Sequence, residues 1–191
     1  MSVDIEVPDG VSGDWSVSTF EVSDKEAKRH SMMSAWSSSC RPISAGTYKQ
    51  LKRKNHLVMS NTPMEIRDHS WFASHARKCE RVLLNGLGLG MVLKMILESE
   101  TVKHVTVIEK SEDVIKLSAQ TYLVDPRVEI IHADAFEWKP PRGARYGAVF
   151  HDIWDDICGD NLPEMIKLKS KYRRRTDYQE CWCEDQCRRQ R

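Results

Sequence analysis

The chain has 191 residues, a length from which one domain with a sizeable apolar core plus decorated ends is expected, and a second catalytic domain is not. Its 40% apolar and 30% charged content is that of a soluble globular protein, and no apolar stretch approaches the roughly 20 residues that a bilayer crossing needs, which excludes a membrane role. The net charge of +1 hides an asymmetry between mostly acidic residues 1–26 and a basic end with Lys167, Lys169, Lys171, Arg173, Arg174, Arg175, Arg188, Arg189 and Arg191. The start MSVDIEVPDG has neither the basic cluster nor the apolar stretch of a secretory signal, so a cytoplasmic location is expected, with the six cysteines held as thiols.

Residues 1–22 mix short β-prone pieces with Pro8, Gly10 and Gly13 and read as a loose strand or an arm ordered on contact. Ser23 followed by Glu26 is a capping-box arrangement, and good helix formers run on to about Trp36. Serines and Pro42 then mark a loop. GTYKQL and HLVMS flank the turn-like KRKN and predict a hairpin, and Pro63 suits the first turn of a helix. From Arg81 the pattern becomes strands alternating with helices, the signature of a parallel sheet covered on both faces. RVLLN, HVTVIE, VEIIHA, YGAVFH and DYQEC read as strands, and MVLKMILES, EDVIKLSAQTYL and NLPEMIKLKSKY as helices, with a terminal helix after DYQEC. The expected division is 1–60 for the arm, helix and hairpin, and 61–191 for the α/β domain with its basic tail.

The strongest chemical signal is Asn85-Gly86-Leu87-Gly88-Leu89-Gly90 between a predicted strand and a predicted helix. Glycines there let the backbone pass close to a ligand and leave amides at a helix start free to donate. Glu109 ends the next strand about 20 residues on, where a carboxylate can accept both hydroxyls of a ribose, with Lys110 beside it. Met91 is too bulky for the third small position of a nicotinamide dinucleotide fingerprint, which argues against a dehydrogenase. Asp134-Ala135 follows the third strand of the alternating region, where an acid and a small residue can meet the exocyclic amine of adenine. Three elements at the carboxyl ends of successive strands converge where open α/β sheets bind ligands.

These segments, VLLNGLGLGMVL, VTVIEKSEDVI, DPRVEIIHADAFEW and YGAVFHDIWDD, resemble the class I S-adenosylmethionine-dependent methyltransferases, most nearly their spermidine synthase branch, over about residues 57–185. The resemblance implies a Rossmann-like class I methyltransferase sheet carrying an N-terminal helix and β-hairpin extension, with S-adenosylmethionine as cofactor. It implies Glu109 on the ribose, Asp134 with Ala135 on the adenine, and the loop Asn85, Gly86, Leu87, Gly88 and Gly90 on the methionine part. Asp152 and Asp155 would be the catalytic acids, Asp152 freeing or orienting the attacking nucleophile and Asp155 helping to bind it, and Asp152, like Lys110, is also a cofactor-binding candidate because in other methyltransferases its position touches the cofactor or the substrate. Leu89 stands where the spermidine synthase branch has an acid, no proline follows Asp155, and the sheet is expected to be trimmed after its fifth strand. The resemblance therefore implies methyl transfer to an unnamed acceptor, with aminopropyl transfer and a non-catalytic binding or assembly role as alternatives.

Other groups are read more plainly. A helix-capping role competes with catalysis for Asp152 and Asp155. Ser60, Thr62, Glu65 and Arg67 are candidates to meet the donor, with a capped helix start as the competing account. Cys181, Cys183 and Cys187 lack a fourth ligand at zinc spacing, so no metal is expected. Among the histidines, His151 is singled out because it adjoins Asp152, and the others read as surface or strand-end residues. Trp154 and Trp182 are candidates for a pocket wall or for core packing. The basic tail reads as a solvated helix face ahead of a nucleic-acid contact, since no aromatic platform accompanies it; the oligomeric state is left open, and the resemblance implies that a homodimer, if formed, would use the arm and hairpin.

Overall fold

The computed structural model describes residues 3–36 and 41–190. The loop predicted after Trp36 and the terminal Arg191 fall partly or wholly outside them. The first part of the chain is a four-stranded antiparallel sheet in the order β1-β2-β3-β4, made of β1 (Gly10–Ser12), β2 (Trp15–Val22), β3 (Gly46–Arg53) and β4 (His56–Ser60). The predicted hairpin is β3–β4. The arm is more ordered than its sequence suggests, because β2 pairs along its whole length with β3, Val17 opposite Leu51, across a sequence gap that local patterning does not reveal. Between them lies α1 (Asp24–Trp36), started as predicted: Glu26 Oε2 accepts the Ser23 N–H at 2.8 Å, and the Glu26 N–H donates back to Ser23 Oγ at 3.3 Å.

The second part is a parallel sheet in the order β7-β6-β5-β8-β9, from β5 (Arg81–Asn85), β6 (His104–Glu109), β7 (Val128–His132), β8 (Tyr146–His151) and β9 (Thr176–Cys181). All five strands fall where the alternating pattern put them. The order reverses direction between β5 and β8, so the carboxyl ends of these neighbours open a crevice. Helices α2 (Pro63–Ala76), α3 (Met91–Leu97) and α4 (residues 112–122, with a π-helical turn at Ile115–Ala119) bury Phe72, Ile96 and Tyr122 with Val82, Leu84 and Phe150. The opposite face packs Leu83 and Val149 against Leu162, Met165 and Leu168 of α5 (Leu162–Tyr172). Strand alternation accounts for this division: Leu83 and Leu84 are adjacent and serve opposite layers. The chain ends in α6 (Glu184–Arg189).

The two sheets share a core, since Val17 and Leu51 of the small sheet are buried in the same cluster as Leu87 and Leu89 of the glycine loop. Near Leu51 the β3–β4 register shifts. A bulge of this kind re-aims side chains, and here consecutive residues Val58 and Met59 both face the crevice. Among the described residues, no helix is long and apolar enough to cross a membrane.

Candidate active site

The loop after β5 is held by close backbone approaches. Gly86 has φ +105°, and a Cβ there would lie 1.9 Å from the carbonyl oxygen of Asp152. Gly90 has φ +71° and leaves room for the Tyr122 ring, whose hydroxyl donates to Leu89 O at 2.7 Å. The Asp152 N–H donates to Asn85 O at 2.8 Å and the Gly86 N–H to Ile108 O at 2.8 Å, so the ends of β5, β6 and β8 are tied together. Leu89 is fully buried, which is why an apolar residue stands at this loop position. Its N–H points instead to the Met59 thioether, 3.3 Å away.

A cavity of about 470 Å³ opens over this loop, within the range of ligand sites. Gly86, Leu87, Gly88, Glu109, Lys110, Asp134, Ala135, Asp152 and Asp155 all line it, so the structure gathers most of the predicted residues around one space. Asn85 and Gly90 are not on its wall; the Asn85 amide turns away to His151 Nδ1 at 2.8 Å. Glu109 accepts the Leu87 N–H on one oxygen at 2.9 Å and the Ser111 N–H on the other at 2.7 Å. Burial pushes its carboxyl pKa up, against the pull of these amides. Asp134 accepts from Lys110 Nζ at 2.8 Å and from the Phe136 N–H at 2.8 Å, and the Lys110 ammonium holds its pKa down.

Asp152 meets His69, whose Nε2 lies 3.0 Å from Oδ2 while Nδ1 donates to the Glu65 carbonyl at 2.6 Å. With Nδ1–H committed to a carbonyl, Nε2 can face a carboxylate only as a donor, so one proton is shared between imidazole and acid. His69 is 1% exposed; burial disfavours its charge, but the Asp152 and Glu65 contacts outweigh this and raise its pKa. Sequence reading placed His69 among ordinary surface histidines. The usable signal was its i, i+4 relation to Glu65 on one face of the helix after Pro63, since both residues enter the cavity.

His151, singled out beside Asp152, takes no part: strand alternation turns it to the opposite side, where it bonds Asn85 and Gln179 and burial lowers its pKa to about 4. Asp155 is ion-paired with Arg53, whose guanidinium lies 5.5 Å above the Trp15 ring, and Asp156 pairs with His56 at 3.3 Å. The acids do not cap the following helix; Cys158 occupies that position before the turn Gly159–Asn161. Thr62 makes no capping bond, Glu65 instead accepts the Ser60 N–H at 2.6 Å, and Arg67 is exposed. Burial pushes the Glu65 carboxyl up to about 7. Trp154 and Trp182 both line the cavity, and Trp154 Nε1 donates to Glu164 at 2.8 Å. Cys181 and Cys187 are buried, and among the described residues no group of three His, Cys, Asp or Glu could hold a metal ion.

The wall thus carries Glu65, Glu109, Asp134, Asp152, Asp155 and Glu164 against Arg53, Lys110 and His69. With both Arg53 and Lys110 already paired, the arrangement favours a cationic ligand. Part of the basic run is paired within the chain: half-buried Lys169 pairs with Glu184 at 2.8 Å, and exposed Arg188 meets the same carboxylate at 2.6 Å, while Lys167, Arg173, Arg174 and Arg189 are exposed.

No protein-family model matches the chain. It is 35% identical, over an 83-residue alignment that covers 39% of this chain, to polyamine aminopropyltransferase 1 of Streptomyces coelicolor, and the match spans 16% of that protein. Similar solved structures include a spermidine synthase in complex with a transition-state analogue (TM-score 0.48, 20% identity, 78% of this chain and 46% of that one). Others are the N-methyltransferase NodS of Bradyrhizobium japonicum (TM-score 0.48, 12% identity, 60% and 63%) and a dimethyladenosine transferase of Plasmodium falciparum (TM-score 0.43, 20% identity, 56% and 37%). The protein is an α/β chain with a five-stranded parallel sheet, and its structural neighbours include methyltransferases and a spermidine synthase.

Proposed function

We propose that the protein transfers a methyl group from S-adenosylmethionine to the nitrogen of an amine, with Asp152 as the acid that orients the nucleophile and takes its proton. The observation that carries this reading is the Asp152–His69 pair at 3.0 Å, set in the cavity against the glycine loop. The residues present suit the cofactor. Glu109 uses one acceptor site per oxygen on backbone amides, and an ionised carboxylate retains further lone pairs for two ribose hydroxyls. Asp134 would meet the adenine amine, with Ala135 and Phe136 beside it, and the loop from Gly86 to Gly88 would hold the tail. Bound there, the cofactor supplies an electrophilic sulfonium carbon. The amine must reach it neutral. His69 fixes one oxygen of Asp152 and leaves the other to accept an N–H, while the surplus of carboxylates draws in a protonated amine for deprotonation.

Aminopropyl transfer from the decarboxylated donor is the second reading, favoured by one feature. Met59 and Asp152 touch the glycine loop and Glu65 and His69 line the same cavity, while Arg53 and Lys110 are committed to Asp155 and Asp134, so an ammonium tail without a carboxylate is well suited. Isothermal titration with S-adenosylmethionine, S-adenosylhomocysteine, the decarboxylated donor and NAD separates the readings. Micromolar binding of the first two, lost in Glu109→Ala, supports methyl transfer. Binding of the decarboxylated donor alone moves the assignment to aminopropyl transfer, and binding of none of them overturns both.

A further inference from the structure

The loop that follows β7 carries Asp134 and Ala135 to the cavity, yet its carbonyls point the other way and converge on a single cation. Lys171 of α5 donates from Nζ to Ala135 O at 2.7 Å, to Phe136 O at 3.0 Å, and to Trp138 O. An ammonium has three donors, and here all three are used on one turn of backbone. Lys167, one helical turn earlier, places its ammonium 4.9 Å over the Phe136 ring. The turn is closed on its own side by the Phe136 N–H to Asp134 Oδ1 at 2.8 Å and the Trp138 N–H to Asp134 O at 2.8 Å. Asp134 is thus held by Lys110 in front and by the Lys171-gathered carbonyls behind.

From this geometry we infer that Lys171 is a positioning residue for the purine end of the site, fixing the 134–138 turn so that Asp134 selects an amino-bearing purine over an oxo-bearing one. The inference rests on the reading of Asp134 as the acceptor of the adenine amine. Three carbonyls aimed at one point repel one another unless a cation sits there; without it the turn relaxes and the Asp134 carboxylate moves with the backbone on which its own hydrogen bonds depend. A basic stretch that reads in sequence as a solvated face is in this position an internal strut.

The test compares S-adenosylhomocysteine with S-inosylhomocysteine, which carries an oxo group in place of the 6-amino group and a proton on N1, on the full-length protein and on Lys171→Met. A wild-type preference for the adenosyl ligand of about tenfold or more is expected from a hydrogen bond to a charged acceptor. In Lys171→Met the preference is expected to fall to about twofold, with adenosyl affinity reduced roughly fivefold and inosyl affinity little changed. A merely structural role would weaken both ligands alike and leave the ratio untouched, and an unchanged ratio in the folded variant overturns the inference. If Lys171→Met fails to fold, Lys171→Arg carries the test: its longer planar head keeps the charge but draws the carbonyls to new positions, so the ratio must drop there also. Should the wild type bind both ligands equally, or neither, the assignment of Asp134 itself fails, which is distinguishable from failure of Lys171.

Discussion

Replacing Asp152 with asparagine keeps the shape of the site and removes the counter-charge from His69. In the native protein the imidazole is 1% exposed and the acid side chain 12%, so the pair is almost wholly withdrawn from water. Because the folded-state pKa of His69 is raised above its ordinary 6.5, the pair's contribution to stability is fully present below about pH 6.5 and fades as pH rises through the higher folded value. Stranding a buried charge costs about 3 kcal/mol or more, which for a chain of this size is roughly 6–12 °C in Tm. Asp152→Asn is therefore expected to melt that much lower than wild type at pH 6, with the gap narrowing towards pH 9, where an asparagine amide can donate to the neutral ring. Calorimetric melts of both proteins from pH 5.5 to 9 measure this. A gap that is constant, or that widens at alkaline pH, would refute the shared-proton account of the pair. The variant should still bind S-adenosylhomocysteine, since Asp152 is assigned to the acceptor's proton rather than to the nucleoside.

Gly86→Ala places a methyl group 1.9 Å from Asp152 O at a φ of +105°, so a destabilisation of about 2–5 kcal/mol is expected, with loss of donor binding by titration in any protein that still folds. Glu65→Gln acts in the opposite direction: burial raises this carboxyl from 4.5 to about 7, so its ionised form opposes folding increasingly between those values, and the variant should gain on wild type by up to about 3 kcal/mol at pH 8 but not at pH 4. Urea unfolding at the two pH values checks the sign. Tyr122→Phe leaves Leu89 O without its 2.7 Å donor beneath the glycine loop; a loss of roughly 1–2 kcal/mol in chemical denaturation is expected, and no change would mean that the hydroxyl is not holding the loop.

The α/β half of the fold was legible because its signals are local. Val82-Leu83-Leu84 is an apolar run and Val105-Thr106-Val107-Ile108 a β-branched one, both of strand length, and a strand buried on both faces requires little else to be recognised. Gly86, Gly88, Glu109, Asp134 and Asp152 were legible for a related reason: each sits at the carboxyl end of a strand, and a parallel sheet brings those ends to one edge whatever the intervening helices do. The first strands were under-read because β2 is completed only by β3, with α1 and a loop between them, and an antiparallel pair leaves no trace in either partner alone.

The sequence by itself determined the alternation of strands and helices, the glycine loop and the acids that follow it, since these depend on spacing of two to five residues and on φ angles that only glycine adopts cheaply. Tertiary structure alone decided which histidine works with Asp152, which cations are free, and what Lys171 holds. His151 is one residue from Asp152 yet faces away, because a strand sends neighbours to opposite sides; His69 is 83 residues distant and meets it at 3.0 Å, because helix α2 packs across the end of β8. Lys169 and Lys171 look like a solvated charge run until α5 lies against the sheet and their ammonium groups find Glu184 and the backbone of the Asp134 turn. Charge and residue type are properties of the chain, but a partner is fixed only when packing brings two distant segments within hydrogen-bond reach.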